Sequence, residues 1–455
     1  MKRASGRVTD LLLLGVKKFA ITPPVPVSLL GYFNNRTSTG VLDPVCCRMA
    51  ALRHENERLL FIQIDSCLIM KEDSDRIKSV ITREAGYRFQ DIMLFTNHTH
   101  TAPALVDFFG AKREGEYFLW LTKRIVEAAV QLLPEQSCGV SFGTASAEGL
   151  AHNRRWYMRD GSVATNPPKC SPLIVRPEGP VDESVQILRF QPAARAPLAL
   201  FVNISNHTDT VGGSKISADW TGFMERHIRE RTGTDIVVFP LIAPQGNINH
   251  FDFHSPEKQT SYEETERIGR SYGGFVLEAL DRTEPVEVSG FQGRIETCTV
   301  PPHEIDASEL EAARGLASQK IQPGKGGDLT AEDLFFGDST VNRLFARELL
   351  DYAAAMPDHY DVPLQALKIG KTAICAIPGE PFVEIGLALK ESAGFQAVFP
   401  VALANSYFSY IPMKECFERG GYEVKASKHN CLSRNAAECI LSTFRSMLAS
   451  LSQAV

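Results

Sequence analysis

Five short segments of this 455-residue chain carry side chains that bind metals or move protons. They are Asn97-His98-Thr99-His100, Asn206-His207-Thr208-Asp209, Gln245-Gly246-Asn247-Ile248-Asn249-His250, Pro378-Gly379-Glu380-Pro381, and Asn405 with Tyr407 and Tyr410. Neutral imidazole and carboxylate are good zinc ligands, and a catalytic zinc keeps one position open for water. In an extended segment residues two apart share a face, so one or both of His98 and His100 can reach a metal. A lone H-x-H pair reads more readily as a hydrogen-bonded loop, and a lone P-G-E as a turn before a helix. The metal reading gains its weight from coincidence: every one of the five segments follows an apolar run.

Those runs read as strands. Leu59 to Ile64, Ile92 to Thr96, Leu198 to Ile204, Ile236 to Ile242, Thr372 to Ile377 and Ala397 to Ala404 are short, apolar and bounded by turn residues. Amphipathic helices alternate with them. Ser74 is a candidate cap for a helix with Ile77, Val80 and Ile81 on one face. Phe118, Leu121, Ile125, Ala128 and Leu132 recur by three and four until Pro134 stops the pattern. Trp220 to Arg231, Tyr262 to Leu280 and Leu432 to Leu451 also read as helices. A β-α-β order implies parallel pairs with right-handed crossovers. The expected fold class is therefore α/β, with a mixed, largely parallel sheet core flanked by helices. In such sheets ligands collect beyond the carboxyl ends of strands, where the five segments fall. Gln322 to Asp328 is the best flexible loop, and no internal repeat is evident.

Composition bounds the partners. Lys plus Arg is 48 and Asp plus Glu is 54, a net charge of −6, with no run of five or more basic residues. That argues against nucleic acid, which needs a basic stripe to release phosphate counterions. Leu11 to Leu14 is interrupted by Lys17 and Lys18 before a signal-peptide core is complete, and nothing approaches a membrane span. Ten cysteines without a C-x-x-C pair suggest reduced thiols and a cytoplasmic protein.

Taken together, the segments resemble the neutral, non-lysosomal ceramidase family. Ile21-Thr22-Pro23-Pro24 with Leu30-Gly31-Tyr32 is similar to its opening strand and loop, and Asn97-His98-Thr99-His100 to its T-H-T-H-S-G-P motif. Asn153-Arg154-Arg155 resembles its N-R motif, and Gly179-Pro180-Val181-Asp182 its G-P-V-D. Ser217-Ala218-Asp219-Trp220 looks like the S-A-D-Y of short bacterial members. Pro378-Gly379-Glu380-Pro381 and the Tyr410 to Tyr422 spacing complete the set. Two segments depart from the pattern. Gly246-Asn247-Ile248-Asn249-His250 lacks the usual carboxylate and the proline that follows it, and Asn206-His207-Thr208-Asp209 lacks the proline often seen after the second histidine.

The resemblance implies a Zn2+ site made of His98, His207, Glu380 and Tyr410, with His100 facing the substrate. It implies that Arg154 and Tyr422 contact the scissile amide or its tetrahedral intermediate. It covers the catalytic part alone, so the expectation is one catalytic domain over residues 1–455 without the C-terminal immunoglobulin-like domain of longer members. The expected function is a zinc-dependent amidohydrolase acting on a small-molecule or lipid amide. An ester, lactone or cyclic amide is an alternative substrate, and a non-catalytic ligand-binding member is the alternative outside enzymes. The His250-Phe251-Asp252-Phe253-His254 cluster reads as a half-buried strand or loop edge, with a second metal or substrate contacts as the sharper option.

Overall fold

The computed structural model describes residues 12–192, 198–319 and 328–453. One arrangement of strands and helices occurs three times. In the first unit β1 (Leu13–Ala20), β2 (Cys46–His54) and β3 (Glu57–Ile64) form an antiparallel meander. Helix α1 (Lys71–Ala85) then leads to β4 (Ile92–Thr96), parallel to β3, and α2 (Gly115–Gln131) follows. The second unit repeats this with β5 (Gly139–Ser146), β6 (Ser184–Gln191), β7 (Ala199–Ile204), α3 (Trp220–Thr232), β8 (Val237–Ile242) and α4 (Tyr262–Asp281). The third uses β9 (Phe291–Val300), β10 (Tyr360–Ile369), β11 (Thr372–Ala376), α5 (Val383–Lys390), β12 (Ala397–Val401) and α6 (Ala436–Gln453). In every unit the spatial order is first, second, third, fourth strand.

The three sheets turn one face toward each other. Phe61 and Phe95 of the first, Phe190, Phe201 and Phe239 of the second, and Leu367, Ile374 and Phe399 of the third share one apolar cluster. Phe201 is central, with ring centroids of Phe61, Phe190 and Phe239 at 5.0, 5.1 and 4.8 Å. Emptying such a position costs about 3–5 kcal/mol. The opposite faces are covered by each unit's own helices. Ile77 and Ile125 pack over Ile62, Trp220 and Val276 over Val202, and Ile385 and Phe444 over Cys375. Third and fourth strands are thus buried on both sides, so their sequences are near-continuous apolar runs, interrupted by buried polar residues such as Gln63 and Asn203.

The α/β class with mixed sheets and flanking helices agrees with the sequence expectation. Parallel pairing is confined to one pair in each large sheet, because the first and second strands add antiparallel neighbours. The threefold repetition was not expected. It is a repetition of geometry: the long connections 21–45, 147–183 and 301–359 between first and second strands share no motif. Ser74 does not cap α1, which starts at Lys71 with Glu72 and Asp73 in its first turn, so Ser74 is fully buried inside it. The expectation of reduced thiols fails at one pair. Cys298 of β9 and Cys439 of α6 form a disulfide across 141 residues, a pairing that spacing alone cannot reveal. The other eight cysteines are free, and only Cys170 among them is exposed. No described helix is long and apolar enough to cross a membrane. The loop expected at Gln322 to Asp328 lies outside the described residues except for Asp328.

Candidate metal centre and active site

Each unit sends one ligand-type side chain to a common point. His98 follows β4 by two residues, His207 follows β7 by three, and Glu380 follows β11 by four. His98 has a φ of 63°, a left-handed conformation that is strained for a residue with a Cβ. It is held there by its surroundings. Thr208 donates to the carbonyl of Asn97, while the Asn97 amide bonds Thr221 and the Ala218 carbonyl.

Both imidazoles are orientated from behind. The Nδ1 of His98 donates to the Cys67 carbonyl at 2.9 Å, and the Nδ1 of His207 to the Ile248 carbonyl at 2.7 Å. A carbonyl can only accept, so each Nε2 is left to face inward as a ligand atom. The two Nε2 atoms lie 3.3 and 3.1 Å from the same oxygen, Oε2 of Glu380. Tyr407 donates to the other oxygen, Oε1, at 2.7 Å. Three lone-pair atoms thus converge in a site where no side chain is more than 3% exposed. Such an arrangement requires a cation among them. Without a metal a proton takes that place: burial opposes charge on His98, but the Glu380 carboxylate outweighs it and holds the ring's pKa well above its ordinary value. Burial would raise the Glu380 carboxyl, yet the charge on the neighbouring His98 holds it well below the usual range. The spacing also fits a metal, since tetrahedral ligands at zinc distances are about 3.3 Å apart.

The remaining expected residues surround this point. The Nε2 of His100 is 3.3 Å from that of His98, and Nη1 of Arg154 is 3.3 Å from that of His207. Tyr410 is brought beside the carboxylate by backbone pairing, because Glu380–Pro381 and Tyr410–Ile411 form a short parallel ladder. The Tyr410 and Tyr422 rings stand 5.2 Å apart, and the Arg154 guanidinium lies 5.1 Å from the first ring and 5.9 Å from the second. Burial first, then Glu380, push the Tyr410 phenol well above its usual pKa, opposed by Arg154. Burial and then the neighbouring His98 hold His100 well below its ordinary value.

Two supporting residues escaped the sequence reading. Tyr407 stood in a strand-end cluster without a role. Glu423 had no visible signal beyond its place next to Tyr422. It is fully buried and accepts from Arg154 Nε at 2.9 Å, Arg155 Nη1 at 2.6 Å and Thr165 Oγ1 at 2.6 Å. Burial would raise its pKa, but Arg154 and Arg155 bring it below the ordinary value. Glu423 therefore aims Arg154, whose Nη2 is buried without a partner among the described residues. The need of the adjacent arginines Arg154 and Arg155 for a carboxylate was the available clue.

A cavity of about 540 Å³ opens over the centre, with His100, Arg154, Tyr410 and Tyr422 among its lining residues. Phe33, Phe251 and Phe253 supply apolar wall. The 250–254 segment forms turn and coil rather than a strand, and His254 is exposed against Trp156. Asn247 does not line the cavity: its side chain accepts from Val383 N at 2.8 Å and donates to Glu384 at 3.0 Å, fixing the start of α5.

No protein-family model matches this sequence, and no curated relative matches it significantly. Solved structures do match. Neutral ceramidase from Pseudomonas aeruginosa superposes with a TM-score of 0.71 at 17% identity, over 97% of this chain and 75% of the other. A ceramidase complexed with C2 gives 0.71 at 16% identity over the same shares. At this identity the likeness establishes a shared fold.

Proposed function

We propose that this chain, which has the fold of neutral ceramidase, is a zinc-dependent hydrolase of an amide bond in an N-acyl compound. The observation that carries the proposal is the convergence of His98, His207 and Glu380 with both histidine tautomers fixed from behind. Tyr410 is assigned as the fourth protein ligand from its pairing with Glu380. When bound, the ion supplies Lewis acidity and a nucleophilic water at neutral pH.

The chain's own groups supply the rest. The unpartnered Nη2 of Arg154 offers a preorganised donor to the oxyanion that develops on the amide carbonyl. The Tyr422 phenol is buried, which raises its pKa and keeps its hydrogen available for the same oxygen. His100 lines the cavity next to the metal ligands, where it can take up a proton and deliver it to the leaving amine. The cavity is of a size that suits a small ligand or one end of a larger one.

A side-by-side turnover screen of N-acyl amines, N-acyl amino acids and ceramides tests this reading. Amine release that stops on chelation and returns with zinc supports it. No amide turnover by zinc-loaded protein across all three classes contradicts it.

A further inference from the structure

Two loops, 166–170 and 249–260, build a part of the cavity wall to which the chemistry above gives no polar role. They are tied together at three points. The Asn249 amide donates to Asn166 Oδ1 at 2.8 Å, Cys170 N donates to the Phe253 carbonyl at 2.8 Å, and Lys169 Nζ donates to the Glu257 carbonyl at 3.1 Å. Gln259 closes the second loop on itself, accepting from Asp252 N at 2.8 Å and donating to the Asp252 carbonyl at 3.1 Å. Asn166 and Cys170 have φ of 48° and 55°, a left-handed backbone that residues with a Cβ adopt where their surroundings hold them. The position of Lys169 is therefore fixed from both sides.

Lys169 brings an unanswered cation to this wall. It is half-buried and lines the cavity, and its ammonium lies 4.8 Å from the Phe251 ring centroid. An ammonium carries three hydrogens, and the Glu257 carbonyl takes one. No described carboxylate forms an ion pair with it. Burial lowers its pKa, and the charges that oppose this, Glu332 first, act from beyond ion-pair contact. The other charges of the wall are paired or solvated. Asp209 stands 3.4 Å from His250, Asp328 accepts from Gly213 N at 2.7 Å, and Glu257, Lys258 and Glu332 are exposed. Two rings separate Lys169 from the metal side of the cavity. The Phe251 centroid is 4.2 Å from that of His250, and His250 is the residue that reaches Asp209. The ammonium thus faces a part of the ligand some bonds away from the reacting amide, with Phe251 and Phe253 as apolar wall between.

We propose that Lys169 is a specificity subsite for a carboxylate at the far end of the substrate. The substrate class is then an N-acyl compound in which an apolar linker joins the scissile amide to a terminal carboxylate, rather than a neutral lipid amide. This proposal rests on the amide-hydrolase reading, since that reading places the amide beside His100.

The carboxylate can sit on the amine part or on the acyl part, and two probe pairs separate these sources. N-acetyl-ε-aminocaproate and N-methyladipamate, each beside its neutral carboxamide, are titrated into the zinc-loaded full chain as wild type, Lys169→Met and Lys169→Arg. In at least one pair the wild type should bind the carboxylate at least about threefold more tightly, the reach of a partly exposed ion pair. That pair identifies the part that carries the charge. Lys169→Met should abolish the preference while keeping its zinc, and Lys169→Arg should restore part of it.

Equal affinities within both pairs in the wild type overturn the subsite. A preference that survives in Lys169→Met also overturns it, because the carboxylate is then read by the metal or by Arg154. Equal loss of charged and neutral ligands in Lys169→Met does the same, because that pattern belongs to a residue that only props the loops. The wild-type comparison stands even where a variant fails to fold. A protein that keeps the carboxylate preference but cleaves no amide contradicts the hydrolase reading alone. One that cleaves amides but binds charged and neutral probes equally well contradicts the subsite alone.

Discussion

The phenol of Tyr407 donates to Oε1 of Glu380 at 2.7 Å, which leaves Oε2 as the oxygen that faces His98 and His207. The carboxylate is thereby presented through one oxygen at a fixed angle. Outer partners of this kind typically change metal affinity by about 10–100-fold. Tyr407→Phe should weaken zinc binding by that order without unfolding the chain, as read by chelator competition. Unchanged affinity would remove Tyr407 from the support of the site.

The two histidines of the H-x-H pair should separate in function. His98→Ala, like His207→Ala, should lose the metal, because each deletes one of three converging ligand atoms. His100→Ala should keep its metal and lose about 10²–10⁴ in kcat, the usual reach of general acid–base catalysis. Full metal content in both His98→Ala and His207→Ala would refute the ligand assignment, and unchanged turnover in His100→Ala would refute its proton-transfer role.

Arg154 should act mainly on kcat. In the proposed mechanism its Nη2, without a hydrogen-bond partner among the described residues, serves the oxyanion, and losing one such donor costs about 10²–10³ in kcat. Arg154→Met should show this loss with a smaller change in KM. Glu423→Gln should move kcat in the same direction, because it loosens the group that aims the guanidinium at 2.9 Å. A Glu423→Gln enzyme with normal kcat would show that Arg154 is held well enough without it.

A pH-dependent stability should trace to Lys78. Its ammonium is buried in α1, 3.3 Å from Asn405 Oδ1 and 4.3 Å from the Phe89 ring centroid. Burial lowers its pKa from 10.5 to about 7. The unfolded chain therefore binds this proton more tightly, and the penalty grows as pH falls from 10.5 toward 7 and levels off below that. Wild-type stability should therefore rise as pH is increased from about 7 to 10.5. In Lys78→Met that rise should be smaller, with stability at pH 7 higher by about 1 kcal/mol or more, since one pKa unit corresponds to about 1.4 kcal/mol. Parallel melting curves against pH in the two proteins would assign the effect elsewhere.

What was legible in the sequence follows from burial. The third and fourth strands of each unit are covered on both faces, and all six stood out as apolar runs. The first and second strands did not. Phe291–Val300 and Ser184–Gln191, for instance, mix apolar with half-exposed polar residues, so they form no apolar run even though Gly290 and Gly179-Pro180 mark the turns before them. With those strands unseen, the threefold architecture was out of reach. The ligand-type residues were legible because they sit where the readable strands end. The support of Arg154 was not: Glu423 is 269 residues away and only the fold brings it near.

The central claim is a metal held by His98, His207 and Glu380, and metal analysis of the freshly purified chain tests it most directly. The account predicts about one zinc per chain, removed by EDTA together with amide hydrolysis and regained on adding zinc back, with His207→Ala unable to reload. A freshly purified wild-type protein that contains no metal and takes up none would contradict it.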